Sequence, residues 1–142
     1  WLGNIDIKDI KMVIDKDAKF ISGIQAIDAG THNEVWRETY AESWNWGSIL
    51  STAGDLIFAG GTSDRMFRAY DAKSGETLWQ FKTNSGIISP PTSYSIDGKQ
   101  YIAVVSGWGV DSALVQGIMH TERGWEKDIP QGGTVWVFAL ED

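Results

Sequence analysis

The 142-residue sequence has no cysteine, only three proline and two histidine residues, and fewer cations than anions. Without cysteine the chain has no disulfide and no thiolate chemistry, which leaves the redox compartment open. Twelve Lys and Arg stand against 19 Asp and Glu, for a net charge of −7. Nucleic acid and anionic membrane surfaces both call for a cationic face, so the charge argues against either as a partner. No apolar run approaches the roughly 18 residues of a membrane helix, so no membrane span is expected. No charged or apolar leader precedes Trp1, and this start reads as a cut in a longer chain.

What is plentiful points to sheet. Eight Trp and 16 Gly with so little Pro fit a protein of strands and tight turns better than a helical bundle. The length suffices to bury a core.

An internal repeat organises the chain. Ala26-Ile27-Asp28-Ala29-Gly30-Thr31-His32-Asn33-Glu34-Val35-Trp36 matches Ala69-Tyr70-Asp71-Ala72-Lys73-Ser74-Gly75-Glu76-Thr77-Leu78-Trp79, with the Trp residues 43 positions apart. Spacings of about 40–50 residues belong to propeller blades of four strands. Each copy reads as strand, turn and strand. The carboxylates of Asp28 and Asp71 suit the turn N–H groups, and Gly75 suits a positive φ. His32 holds the place of Gly75, so the first turn is expected to depart from the pattern. A second match relates Ala53–Ala59 to Asp97–Ala103, and a third relates Met66–Asp71 to Val135–Leu140.

Strands are expected near 46–52, 55–60, 65–71 and 77–82 for one complete blade, 46–86. Residues 20–40 supply the last two strands of a preceding blade within segment 1–45, and strands near 88–96, 99–106 and 134–140 supply three strands of a closing blade, 87–142. Leu56–Ala59, Tyr101–Val105 and Val135–Leu140 are continuously apolar, which implies sheets covered on both faces. Residues 4–19, with Ile7, Ile10, Val13 and Ile14 among Lys and Asp, leave strand, helix and loop open. The closing blade carries an insertion, 107–131, of 25 residues, expected to be a long loop with a function or without order.

The repeat Ala-x-Asp-x-x-Ser-Gly-x-x-x-Trp resembles the tryptophan-docking motif of quinoprotein alcohol dehydrogenases. Trp46–Phe58, Phe67–Ile88, Asp97–Val104, Ser106–Gly109 and Gly132–Leu140 are similar to that family in the same order. The resemblance implies an all-β fold, the C-terminal blades of an eight-bladed β-propeller, with one full blade and two partial ones. It also implies oxidation of primary alcohols to aldehydes with pyrroloquinoline quinone (PQQ). A calcium or lanthanide ion would sit beside the quinone, ligated by residues outside this chain, and a cytochrome c in the periplasm would take the electrons. The ion polarises a quinone carbonyl in such enzymes, and the catalytic base and metal ligands lie upstream of the region present here. The fragment is therefore expected to be inactive alone and to need the remainder of the propeller.

By position, the resemblance places Trp46, Gly107, Trp108 and Gly109 at the cofactor. An indole offers a flat apolar surface and one N–H donor, and flanking glycines admit a ligand close to the backbone. Trp36, Trp79 and Trp136 read as blade packing, and Trp44 and Trp125 as core or loop packing. His32 reads as a solvent-facing turn residue. His120 with Glu122, Glu126 and Asp128 has the composition of a metal cluster, but a solvated acidic loop explains the same residues. Asp111 is a further polar candidate at the site entrance. The rival reading is a non-catalytic propeller of the outer-membrane-assembly kind, a scaffold for protein–protein binding.

Overall fold

The computed structural model describes residues 13–126 and 128–140. The open choice for residues 4–12 lies outside them. Residues 13–20 form no strand or helix, and a turn there closes with Ala18 N–H on the Asp15 carbonyl at 3.1 Å.

Among the described residues, nine strands fall into three antiparallel sheets of two, four and three. The first sheet pairs β1 (Ser22–Ile27) with β2 (Glu34–Tyr40). The second orders β3 (Ile49–Ser51), β4 (Leu56–Ala59), β5 (Met66–Asp71) and β6 (Thr77–Lys82) as a meander. The third is β7 (Thr92–Ile96), β8 (Lys99–Ser106) and β9 (Thr134–Ala139). This is the expected grouping of one full blade and two partial ones. Two strands start later than expected. Pro90 and Pro91 lack the N–H that a ladder needs, so β7 begins at Thr92. Trp46 gives its N–H to the Gly61 carbonyl at 3.0 Å outside the ladder, and β3 begins only at Ile49. The β7–β8 hairpin turns on Asp97 and Gly98, with φ of 51° and 82°, as a two-residue turn between right-twisted strands requires.

The two repeat turns superpose in their bonding. Asp28 Oδ1 accepts from Gly30 N–H, Thr31 N–H and Thr31 Oγ1 at 3.1, 2.7 and 2.7 Å. Asp71 Oδ1 accepts from Lys73 N–H, Ser74 N–H and Ser74 Oγ at 3.0, 2.8 and 2.9 Å. The expected departure at His32 does not occur. His32 adopts φ 59° where Gly75 adopts φ 75°, and each donates its N–H to the carbonyl of the turn's Asp, at 2.8 and 2.9 Å. The bonds around Asp28 hold a non-glycine residue in a left-handed conformation that costs it about 1 kcal/mol or more.

Two cores lie between sheets. Ile24 and Trp36 pack with Ala59 and Tyr70 between the first and second sheets. Phe67 and Ile87 pack with Ile102 and Val104 between the second and third, and Leu50, Phe58, Trp136 and Phe138 border them. Trp36 Nε1 donates to the Ala72 carbonyl of the next sheet at 2.9 Å, which leaves the indole only 9% exposed. Trp79, its repeat partner, packs edge-on to Phe138 at 5.0 Å and remains 38% exposed. Trp136 sits differently from both: it lies on β9, in the register place of Phe67 on β5, with its ring 5.0 Å from Phe81.

The apolar runs are not all covered on both faces, as the sequence led us to expect. On the third sheet Val105, Val135 and Val137 face outward and are exposed. The insertion is not a loop throughout: α1 spans Val110–Arg123. It buries Ser112, Gln116 and Met119, one helical face, and ends at Gly124 in a left-handed cap whose N–H bonds the His120 carbonyl.

Candidate functional site

The connections 41–48, 60–65, 83–91 and 107–133 meet at one end of the three sheets. Ser63 N–H donates to Ser43 Oγ at 2.8 Å, Thr83 N–H to the Arg65 carbonyl at 3.0 Å, and Gly107 N–H to the Gly86 carbonyl at 2.7 Å. Hydrogen bonds therefore link each connection to the next.

Within this cluster a seam of glycines joins the two segments singled out by sequence. Gly47 approaches so closely that a Cβ on it would lie 2.0 Å from the Gly60 carbonyl oxygen. A Cβ on Gly60 would lie 2.9 Å from Ile87 Cδ1, and Ile87 forms a parallel bridge with Gly107. The seam runs from Trp46–Gly47 on the second sheet to Gly107–Trp108 on the third. A side chain on Gly47 would drive into the Gly60 backbone, and one on Gly60 into the Ile87 side chain.

The two indoles are presented differently. Trp46 is 36% exposed. Trp108 is 1% exposed and lies on Gly86, where a Cβ would fall 1.7 Å from its Cε3. Trp108 Nε1 is buried and has no hydrogen-bond partner among the described residues. A buried donor without a partner costs about 1–3 kcal/mol, and with the indole 1% exposed it is sealed by the chain's own atoms. Gly107 keeps open space on its Cβ side, the nearest atom being Gly133 Cα at 4.0 Å. Gly109 has φ 73° and precedes the first turn of α1, with Ile88 Cδ1 3.0 Å from a Cβ built on it.

The charged residues nearby are already engaged. Burial raises the Asp64 carboxyl, but hydrogen bonds from Arg68, Thr62 Oγ1 and the Met66 N–H outweigh it and hold it below the usual carboxylate range. Burial and the Tyr40 hydroxyl, 3.0 Å away, push the Tyr70 phenol up, so it stays neutral. Asp64 is thus a structural anion paired to Arg68, unsuited to accept a proton near neutral pH.

The acidic insertion residues form no metal centre: no group of three His, Cys, Asp or Glu able to hold an ion occurs among the described residues. His120 Nδ1–H donates to the Trp125 carbonyl at 2.6 Å, and Glu126 Oε1 accepts from the Asp128 N–H at 2.9 Å. Asp111 is exposed in the first turn of α1, where a carboxylate favours the helix dipole. His32 is exposed.

Sequence reasoning missed Gly60, Gly86 and Ile87, through which the seam passes. Their signal was available in Gly60-Gly61 and Ser85-Gly86, small residues between apolar strands. For a flat quinone the residues fit as part of a wall: a part-exposed indole at Trp46 and a glycine backbone with open space beside it at Gly107. They supply no cationic clamp for its carboxylates.

Residues 22–102 match the family described as PQQ: glucose/ethanol/alcohol dehydrogenase, β-propeller domain. A quinoprotein alcohol dehydrogenase of Pseudomonas putida is 40% identical over 122 residues, 85% of this chain and 20% of that protein. A 1-butanol dehydrogenase (cytochrome c) of Thauera butanivorans is 39% identical over 115 residues, 81% of this chain and 15% of that protein. Among solved structures, a europium-containing methanol dehydrogenase superposes with a TM-score of 0.69 at 33% identity, over 87% of this chain and 24% of its own. The chain spans about a fifth of the length of the P. putida relative.

Proposed function

The chain belongs to the glucose/ethanol/alcohol dehydrogenase β-propeller family, and on that premise we propose that it is the C-terminal part of a quinoprotein alcohol dehydrogenase oxidising primary alcohols to aldehydes. Segments 1–45, 46–86 and 87–142 are then the end of one blade with a preceding segment, a complete blade and a closing blade, and further sequence covers the exposed face of Val135 and Val137. The observation that carries the reading is the glycine seam, which brings Trp46 and the Gly107–Gly109 segment to one end of adjacent sheets.

In this reading Trp46 lays its part-exposed indole along PQQ, and Gly107 lets the backbone approach it. Trp108, packed on Gly86, backs that segment, and Gly109 turns the chain into α1. When bound, the quinone accepts the two electrons and two protons that leave the alcohol. A calcium or lanthanide ion is ligated by residues outside this chain, in keeping with the europium in the methanol dehydrogenase neighbour. The electron acceptor is a cytochrome c, as the name of the Thauera relative suggests for that enzyme, and the location is periplasmic. The scaffold reading gains nothing from these relatives, whose names describe dehydrogenases.

The test compares the complete protein with the 142-residue chain, each given PQQ, calcium or a lanthanide, a primary alcohol and an artificial dye. Reduction of the dye by the complete protein alone supports the reading. Turnover by the isolated chain, or none by the complete protein, overturns it.

A further inference from the structure

Asn84 lies in the connection between β6 and β7, and its carboxamide spans both roots of the 107–133 connection, which holds the insertion. Its Oδ1 accepts from Ser106 Oγ at 2.6 Å, and its Nδ2 donates to Thr134 Oγ1 at 2.9 Å. Ser106 is the last residue of β8 and Thr134 the first of β9, and they are the final register pair of that ladder. One side chain therefore ties together the point where the insertion leaves the sheet and the point where it returns. A carboxamide suits this bridge because it carries an acceptor and a donor on one rigid plane.

The bridge is reinforced on both sides. Ser106 is fully buried and its hydroxyl also accepts from Trp136 Nε1 at 2.9 Å. Ser85, the next residue, donates its hydroxyl to the Pro130 carbonyl on the returning limb. Gly86, one further on, accepts from Gly107 N–H at 2.7 Å and carries the Trp108 indole on its Cα. Three consecutive residues thus hold both limbs of the insertion, and the outgoing limb leads directly into Trp108 and α1.

We infer that Asn84 is a positioning residue for alcohol binding: it fixes the spacing of the insertion's two roots, and through them the placement of Trp108 and α1 over the site. The inference rests on the alcohol dehydrogenase reading above. In this inference Asn84 acts through the two roots and not on the quinone, so its loss changes how well the alcohol is held and leaves the oxidation step of bound alcohol intact.

Two substitutions in the complete, quinone-loaded protein separate positioning from bulk stability. Asn84→Leu keeps the size and removes both bonds. Asn84→Asp keeps both, because the Ser106 and Thr134 hydroxyls can each donate to a carboxylate oxygen. We expect Asn84→Leu to raise KM for primary alcohols about tenfold with kcat held within about twofold, and Asn84→Asp to restore KM to within about twofold. If Asn84→Leu fails to fold, Thr134→Val removes one of the two bonds and is expected to raise KM in the same direction. Unchanged KM in the variant examined, or loss of kcat and quinone content that Asn84→Asp does not rescue, overturns the inference. The parent protein distinguishes the two levels: if it oxidises no alcohol, the functional reading fails. Amide hydrogen exchange then judges Asn84, with faster exchange in 107–133 expected for Asn84→Leu but not Asn84→Asp, and equal exchange counting against it.

Discussion

The indole of Trp36 covers the backbone of Gly75 so closely that a Cβ there would fall 2.6 Å from Trp36 Cδ2. Trp36 belongs to the first sheet and Gly75 to a turn of the second, so this contact fixes one blade to the next. Gly75→Ala would meet both the ring and a φ of 75°. It is expected to cost about 1–3 kcal/mol in denaturant unfolding, with a red-shifted Trp emission as the indole leaves the Ala72 carbonyl. An unchanged midpoint would show that the ring does not dock there.

Gly86 repeats the arrangement under Trp108, and more tightly. Gly86→Ala places a Cβ where Trp108 Cε3 now lies, so the indole must move. In the complete protein this variant is expected to lose about 3 kcal/mol of stability and to retain less quinone than the parent. Full quinone content, measured by absorbance of the denatured protein, would remove Trp108 from the site.

His32 supports a prediction of opposite sense. Its φ of 59° matches the glycine of the sister turn. His32→Gly should stay within about 1 kcal/mol of the parent, as relief of the left-handed backbone offsets the added freedom of the unfolded chain. His32→Val, branched at Cβ, should cost about 1–2 kcal/mol. Thermal unfolding of the pair checks this, and equal midpoints would contradict it.

The turn carboxylates set an acid limit. Hydrogen bonds from the Thr31 side chain and backbone lower the Asp28 carboxyl, and those from the Ser74 backbone and side chain lower that of Asp71, both from 3.8. A folded-state value below the unfolded one means the stabilisation is complete above about pH 4 and is lost as the pH falls through the lowered folded values. Asp28→Asn with Asp71→Asn should therefore flatten the stability profile below about pH 4, read by urea midpoints at stepped pH. A profile as steep as the parent's would place the acid sensitivity elsewhere.

The strand pattern was legible because the repeat writes it twice: Asp28 and Asp71 start matching turns, and Trp36 and Trp79 follow at matching distance. At His32 the residue type does not announce the backbone conformation, which the hydrogen bonds to Asp28 decide. The helix α1 was hidden by its own buried face. Ser112, Gln116 and Met119 recur at helical spacing, yet two of the three are polar and give no apolar stripe. Gly109 and Gly124, which bracket the helix, were the usable signal. Trp46 and Trp108 could be named from the motif, but their linkage could not. It depends on Gly60, Gly86 and Ile87, which meet only after three sheets have packed.

The most direct test of the account is a crystal structure of the complete protein with PQQ bound, read for the position of the quinone relative to Trp46. The account predicts the indole of Trp46 within about 4 Å of the quinone ring, with Gly107–Gly109 bordering the same site. A quinone seated away from Trp46, or Trp46 and Trp108 both remote from the propeller axis, would contradict it.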